Sequence, residues 1–310
     1  MAVRPFRFGV TVPTISSGTG WAERARRVEQ LGYSMLVVPD HFRNQLASVP
    51  ALTAAALATT RLRVGSLVFS NDFRHPAVLA TEAATIDVLS GGRFELGLGA
   101  GWLRAEYEQT GIRYDSARTR IERLEEAVTI VKGLLAGERV TFTGRHYSIA
   151  DLEGRPAPVQ RPHPPILIGG GGQRTLSLAA REASIVGLVP RARRDGSGLD
   201  MTDLSDAATR EKLEWVRSAA GDRFDSLEIH ALIQAVAVAD RRTAAADDLA
   251  SRFKVARDVV LETPYVLLGT IDEICETLRQ RRERYGISYL TVLERDMEAF
   301  APVVARLAGT

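Results

Sequence analysis

Short, nearly uninterrupted apolar runs alternate along this chain with longer segments of helical periodicity. The runs FGVTV (8–12), MLVVP (35–39), VGSLVF (64–69), FELGLG (94–99), ILIGG (166–170), SIVGLV (184–189), HALIQAVAV (230–238) and YLTVL (289–293) read as strands. Most lack polar–apolar alternation, as expected of parallel strands covered on both faces. Helical segments follow the first three at 20–31, 49–59 and 76–89. The clearest helix is predicted at 116–136, with Asp115 as its cap and Ile121, Leu124, Val128, Val131 and Leu135 on one stripe. Thr270 and Glu273 form a capping box before Ile274 and Leu278, which predicts a helix over 271–285. Cys275, beside that stripe, reads as a small core residue.

Eight strand–helix alternations predict an α/β fold, a (β/α)8 TIM barrel forming a single domain over 1–310. An open doubly wound sheet is the second topology, because strand order is invisible in the pattern. Two stretches break the rhythm and read as rim insertions. Residues 137–165 carry a predicted hairpin (RVTFTG, RHYSI) and the run GRPAPVQRPHPP; residues 191–203 read RARRDGSGLDMTD. Such excursions commonly build lids and substrate walls.

Composition narrows the class. With 40 Lys and Arg against 38 Asp and Glu, the net charge is +2 over 310 residues, 45% of them hydrophobic. These are the proportions of a folded globular chain, not of a disordered, collagenous or coiled-coil one. Basic residues are interleaved with acidic ones, leaving no stripe for a nucleic-acid backbone. No run of 18 apolar residues predicts a membrane span, and MAVRPFRFGV lacks the apolar core of a secretory signal. One cysteine, Cys275, allows no internal disulfide, which with the missing signal leads us to expect a cytoplasmic protein.

Function in a barrel gathers at the C-terminal ends of its strands. After the second strand stand Asp40 and His41; after the third, Arg74, His75 and Pro76; after the fourth, Ala100, Gly101 and Trp102, then Glu106. After the fifth come Gly169, Gly170, Gly171 and Gly172, then Gln173, Arg174 and Thr175. Four glycines expose backbone N–H groups, and a following helix adds its positive end, so the physics is that of a phosphate cradle with Arg174 as the candidate charge; a merely permissive loop is the other reading. His75 before Pro76 reads equally well as a helix stop, and Trp102 as rim packing. Neither glycine-rich site completes G-x-G-x-x-G, and no G-x-x-x-x-G-K-[ST], G-x-S-x-G or H-E-x-x-H occurs. A dinucleotide fold, a P-loop enzyme, a serine hydrolase and a metal hydrolase are all disfavoured, and no metal site is expected. What remains is a barrel that binds a phosphate-bearing organic cofactor.

VPDHF (38–42), RHPAVLATEAATIDVLSGGRFELGLGAGW (74–102) and PILIGGGGQRTLSLAAR (165–181), in this order and spacing, make the chain resemble the bacterial luciferase-like monooxygenase superfamily. Within it, the chain is most similar to the coenzyme F420-dependent oxidoreductases. The resemblance runs from FGVTVPT (8–14) to GTIDEICETLRQRRERYGISYLTV (269–292). It implies a TIM barrel with a deazaflavin or isoalloxazine ring across the mouth. A non-prolyl cis peptide in the third strand, by position Ser66–Leu67, would support the ring. It also implies His41, with Asp40, beside the ring, and Gly169–Thr175 around the phosphate. In the sugar-phosphate dehydrogenases of the family a Glu stands in the turn after strand 4, where this chain has Trp102; that favours a more apolar substrate.

The expected activity is hydride transfer between F420 and a small organic substrate. His41 is the candidate proton carrier, Glu106 a second acid, and Trp102 a wall over the ring. Arg74, Arg174, Arg191, Arg193 and Arg194 are candidates for the anionic cofactor tail. The alternatives are an FMN-dependent monooxygenase served by a separate reductase, and a non-catalytic flavin-binding barrel. A homodimer through barrel helices is a further expectation from the resemblance.

Overall fold

The computed structural model describes residues 4–14 and 20–310. In chain order its strands are β1 (Arg7–Thr11), β2 (Met35–Val38), β3 (Arg63–Ser66), β4 (Phe69–Ser70), β5 (Phe94–Gly99), β6 (Arg139–Thr143), β7 (Ser148–Glu153), β8 (Ile166–Gly170), β9 (Ile185–Leu188), β10 (Glu228–Leu232), β11 (Ala235–Val238), β12 (Val266–Gly269) and β13 (Ile287–Leu293). Parallel pairing runs β3–β2–β1–β13–β10–β9–β8–β5 and returns from β5 to β3 through Val64↔Phe94 and Gly65↔Glu95. The sheet is therefore closed, with β4 the resumed end of β3, and the fold is a (β/α)8 barrel. The open-sheet topology is excluded. Among the described residues no helix is long and apolar enough to cross a membrane.

The strands are apolar throughout because their outer faces pack under helices while their inner faces fill the barrel. Phe8, Val10, Leu36, Val38, Leu96, Leu98, Ile166, Ile168, Val186 and Leu188 are buried against the helical ring. The lower barrel is filled by charge: Arg7 reaches both Glu95 (2.7 Å) and Glu228 (2.8 Å), and Arg63 meets Glu95 at 2.6 Å. Burial pushes the Glu95 carboxyl up, but the Arg7 and Arg63 guanidinium groups outweigh that and hold it below the usual carboxylate range. Above this layer Met35, Val37, Leu167, Ile185 and Tyr289 form a dry plug.

Several elements differ from the sequence reading. The run 230–238 is two strands, not one. Ile233 N–H still donates to Thr291 of β13, but Gln234 N–H donates to Tyr265, so the chain leaves the barrel there. β11 then pairs with β12, a strand the pattern did not reveal, in a separate parallel pair. That pair packs with the helices Arg242–Phe253 and Arg257–Glu262 around its own small core of Ala246, Leu249, Val260 and Leu268. The helix Ala117–Leu135 is capped by Ser116, whose hydroxyl accepts from Thr119 N–H; Asp115 pairs instead with Arg123 at 2.6 Å. The capping box of Thr270 and Glu273, the hairpin β6–β7 and the buried Cys275 are as the sequence indicates.

Candidate active site

The floor of the barrel mouth is built by the break between β3 and β4. The cis peptide there is Leu67–Val68, one residue later than the Ser66–Leu67 bond expected from the sequence. The strand ladder accounts for the offset: Ser66 is still registered against Val38 of β2, and its hydroxyl donates to the Val38 carbonyl, so the irregular step falls after Leu67. Val68 settles on glycines of the neighbouring strands. A Cβ on Gly99 would lie 2.6 Å from Val68 Cγ2, and one on Gly169 would lie 3.3 Å from its Cγ1. Leu67 and Val68 rest on the dry plug yet stay partly exposed, an apolar platform facing the mouth.

His41 follows β2, the strand that pairs with β3. Its Nδ1 lies 2.9 Å from Glu106 Oε2, and its ring meets Trp102 edge-to-face at 6.0 Å between centroids. Glu106 is buried in the first turn of the helix Arg104–Thr110, and Arg43 Nε lies 3.6 Å from its other oxygen. Nδ1 is thus engaged, and Nε2 has no partner among the described residues. Phe42, Phe73 and Tyr107 continue an aromatic wall, with centroids 4.7 and 5.5 Å apart.

Asp40 faces inward. Arg74 donates to both its oxygens at 2.8 and 3.0 Å, Ser70 N–H donates to Oδ2 and Ser48 Oγ to Oδ1. A carboxylate so engaged ties the end of β2 to β4 and thereby places His41; Arg74 is consumed in the same pair. His75 serves as the cap of the helix Pro76–Leu89, its Nδ1 accepting from Ala77 N–H at 3.2 Å.

Gly169 and Gly170 end β8, and Gly172 caps the helix Gln173–Glu182. A Cβ on Gly170 would meet the buried Thr175 at 2.6 Å, and one on Gly171 would lie 2.6 Å from Arg191 N. Gly172 faces open space. The turn is therefore packed from behind and open in front, which suits an anion beside the first turn of a helix. Arg174 does not supply its charge there. It points back along the helix Ala117–Leu135, pairing with Glu125 at 3.1 Å and Glu122 at 3.6 Å. Arg191 is tied to Asp203, while Arg193 and Arg194 carry no ion pair among the described residues.

Sequence reasoning missed one cluster altogether. Lys212, fully buried, meets Asp203 at 2.6 Å and donates also to the carbonyl oxygens of Val189 (3.1 Å) and Asp203 (3.3 Å). It anchors the loop 190–203. The tip of that loop reaches over β8 to the far side: Asp195 and Gly196 carbonyls accept from Arg104 at 2.8 and 3.1 Å, and Gly196 packs on Tyr114. A lysine in an otherwise ordinary amphipathic stretch carries no signal that its partner lies across a loop.

Fold and site together define a parallel barrel with an apolar platform, a carboxylate-oriented imidazole and an open glycine turn at one mouth. The model of the luciferase-like monooxygenase family matches residues 3–288, and the chain belongs to that family. It is 30% identical over 303 residues to an F420-dependent glucose-6-phosphate dehydrogenase of Nakamurella multipartita, covering 93% of this chain and 85% of that one. Over 189 residues, 58% of this chain, it is 34% identical to the namesake from Microbacterium testaceum, and over 198 residues, 57% of this chain, 29% identical to an FMNH2-dependent dimethylsulfone monooxygenase of Pseudomonas putida. It spans only about half the length of these two relatives, 55% and 54%. The fold matches that of a coenzyme F420-dependent tetrahydromethanopterin reductase from Methanopyrus kandleri with a TM-score of 0.77 over 98% of both chains, at 17% identity.

Proposed function

We propose that the protein is an oxidoreductase that moves a hydride between coenzyme F420 and a small organic substrate. The observation that carries this is the His41–Glu106 pair at the same end of the barrel as the Leu67–Val68 step and the open glycine turn. The residues fit a tricyclic ring with a phosphate tail: Leu67 and Val68 offer a flat apolar seat, and Gly169–Thr175 an anion turn. Gly101, at positive φ beside Trp102, packs against the Tyr107 hydroxyl and leaves no room for a side chain. When bound, the deazaflavin supplies the carbon that accepts or donates the hydride. Glu106 holds His41 by Nδ1, so that Nε2 takes up or returns the proton that leaves or joins the substrate heteroatom. Trp102, Phe42 and Phe73 exclude water and favour a substrate with an apolar body over a sugar phosphate.

Titrating the purified protein with F420 and with FMN tests this reading. We expect tighter F420 binding that weakens as salt rises, since Arg193 and Arg194 are free to meet an anionic tail. Tight FMN binding with no deazaflavin binding would transfer the assignment to the second reading, an FMN-dependent monooxygenase with a separate reductase. The likeness to the Pseudomonas putida monooxygenase favours that second reading.

The helices Ser48–Ala58 and Pro76–Leu89 form, in the same proposal, the contact with a second copy of the chain. They carry between them two charged residues, of which Asp87 is fully buried and Glu82 lies 3.5 Å from Arg74. Leu57 (65% exposed), Val78 (50%), Val88 and Leu89 lie on their outer faces, with Leu152 of β7 alongside. A helix face that exposes several large apolar side chains calls for a partner. An almost uncharged face meets its own copy across a two-fold axis without like-charge repulsion.

A further inference from the structure

We propose that Lys212 is a positioning residue for the cofactor phosphate, acting through Asp203, Val189 and Arg191 on the Gly169–Gly172 turn. The inference rests on the reading that this turn binds the phosphate. Lys212 donates to Val189 O and Asp203 O at 3.1 and 3.3 Å and forms an ion pair with Asp203 Oδ2 at 2.6 Å. From there two routes lead to the glycines. Along the first, Val189 N–H donates to Gly170 O at 3.2 Å, fixing the end of β9 against the end of β8. Along the second, Asp203 Oδ2 accepts Arg191 N–H at 2.7 Å, and Oδ1 accepts Arg191 Nε at 2.9 Å. The Arg191 backbone so held is the surface on which Gly171 packs without room for a side chain.

The charges point the same way. Two cations, Lys212 and Arg191, share the single carboxylate of Asp203, with Glu211 3.8 Å from Arg191 at the outer edge. Burial works against the Lys212 ammonium, and Asp203 opposes that. A buried lysine whose charge must be held by one aspartate is an expensive way to fix a loop unless the loop's position matters. Here the held segment is the back wall of the turn. The tip of the same loop is fastened to Arg104 and Tyr114, so the wall is pinned at both ends.

The test compares ligands with and without the phosphate: FMN and riboflavin differ in the phosphate alone, and F420 and its core differ also in the tail beyond it. Dissociation constants are measured by fluorescence quenching for F420 against its phosphate-free core, 8-hydroxy-5-deazariboflavin, and for FMN against riboflavin, in wild type, Lys212→Met and Asp203→Asn. Thermal melting shows which variants are folded. Asp203→Asn keeps the Lys212 bonds to the two carbonyl oxygens and serves where Lys212→Met does not fold. The expected result is a loss of roughly tenfold for the phosphate-bearing ligand in Lys212→Met, the size of one charged hydrogen bond, and a smaller loss in Asp203→Asn. Affinity for the phosphate-free partner stays within about twofold. Equal losses for both partners, or unchanged affinities in a folded variant, would overturn the positioning role while leaving the cradle intact. A wild-type protein that prefers neither phosphate-bearing ligand would remove the cradle reading and this inference with it.

Discussion

His41 Nδ1 and Glu106 Oε2 lie 2.9 Å apart although 65 positions separate them in the chain. His41 follows β2 and Glu106 follows β5, strands that are not neighbours, so the pair spans the rim above β4. Replacing His41 with Asn is expected to lower kcat by about 10²–10⁴-fold, the usual contribution of a general acid–base group. Cofactor affinity should change little. Glu106→Gln keeps an acceptor for Nδ1 but loses the charge, and a smaller drop in kcat is expected. Steady-state rates together with cofactor titration check both; full activity in His41→Asn would remove its catalytic role.

Adjacent glycines of the turn should respond differently. Gly171→Ala places a Cβ 2.6 Å from Arg191 N, so both melting temperature and cofactor affinity are expected to fall. Gly172→Ala meets nothing within 4 Å. It should melt like wild type and lose affinity only for a ligand that approaches the open side. Melting curves paired with titrations separate the two; a wild-type affinity in Gly172→Ala would place the anion elsewhere.

Acid sensitivity should trace to His230. Complete burial, aided by Arg7, pushes its pKa down to about 3, against about 6.5 in an unfolded chain. Between these values the unfolded state binds a proton that the folded state does not. His230 therefore costs no stability above about pH 6.5, and stability is lost progressively below it. At pH 5 the loss is on the order of 2 kcal/mol. Denaturant midpoints at pH 7 and pH 5 should draw together in His230→Gln, whatever the variant's absolute stability. An unchanged gap would locate the sensitivity elsewhere.

The paired-helix face predicts a dimer in solution. Sedimentation at micromolar concentration should show two copies, and Val78→Glu should yield a folded monomer by placing like charges across the two-fold axis. A monomeric wild type would exclude this contact.

The glycine quartet and the Asp-His pair were legible because each lies at or just past the end of a strand whose apolar run is continuous. Their neighbours in the chain reveal which rim they occupy. Arg174 was not legible. It sits one residue into a helix that presents it to Glu125, and a charge on a helix face chooses among partners that only packing supplies. Asp40 shows the same limit: its place in the chain was evident, while the four donors that turn it inward come from three other segments.

By itself the sequence determined what depends on a residue and its near neighbours: most of the strands, the capped helix at 271–285, the hairpin and the strand–helix alternation, though not the closure of the sheet. These follow from side-chain period and capping chemistry, which act over a few residues. Tertiary structure alone decided that β12 pairs outside the barrel, that the irregular peptide falls at Leu67–Val68, and that Lys212 holds Asp203. Each of these depends on register or on a partner distant in the chain. The energy of a buried strand edge or a buried charge is set by whatever closes against it, and that is known only once the barrel has closed.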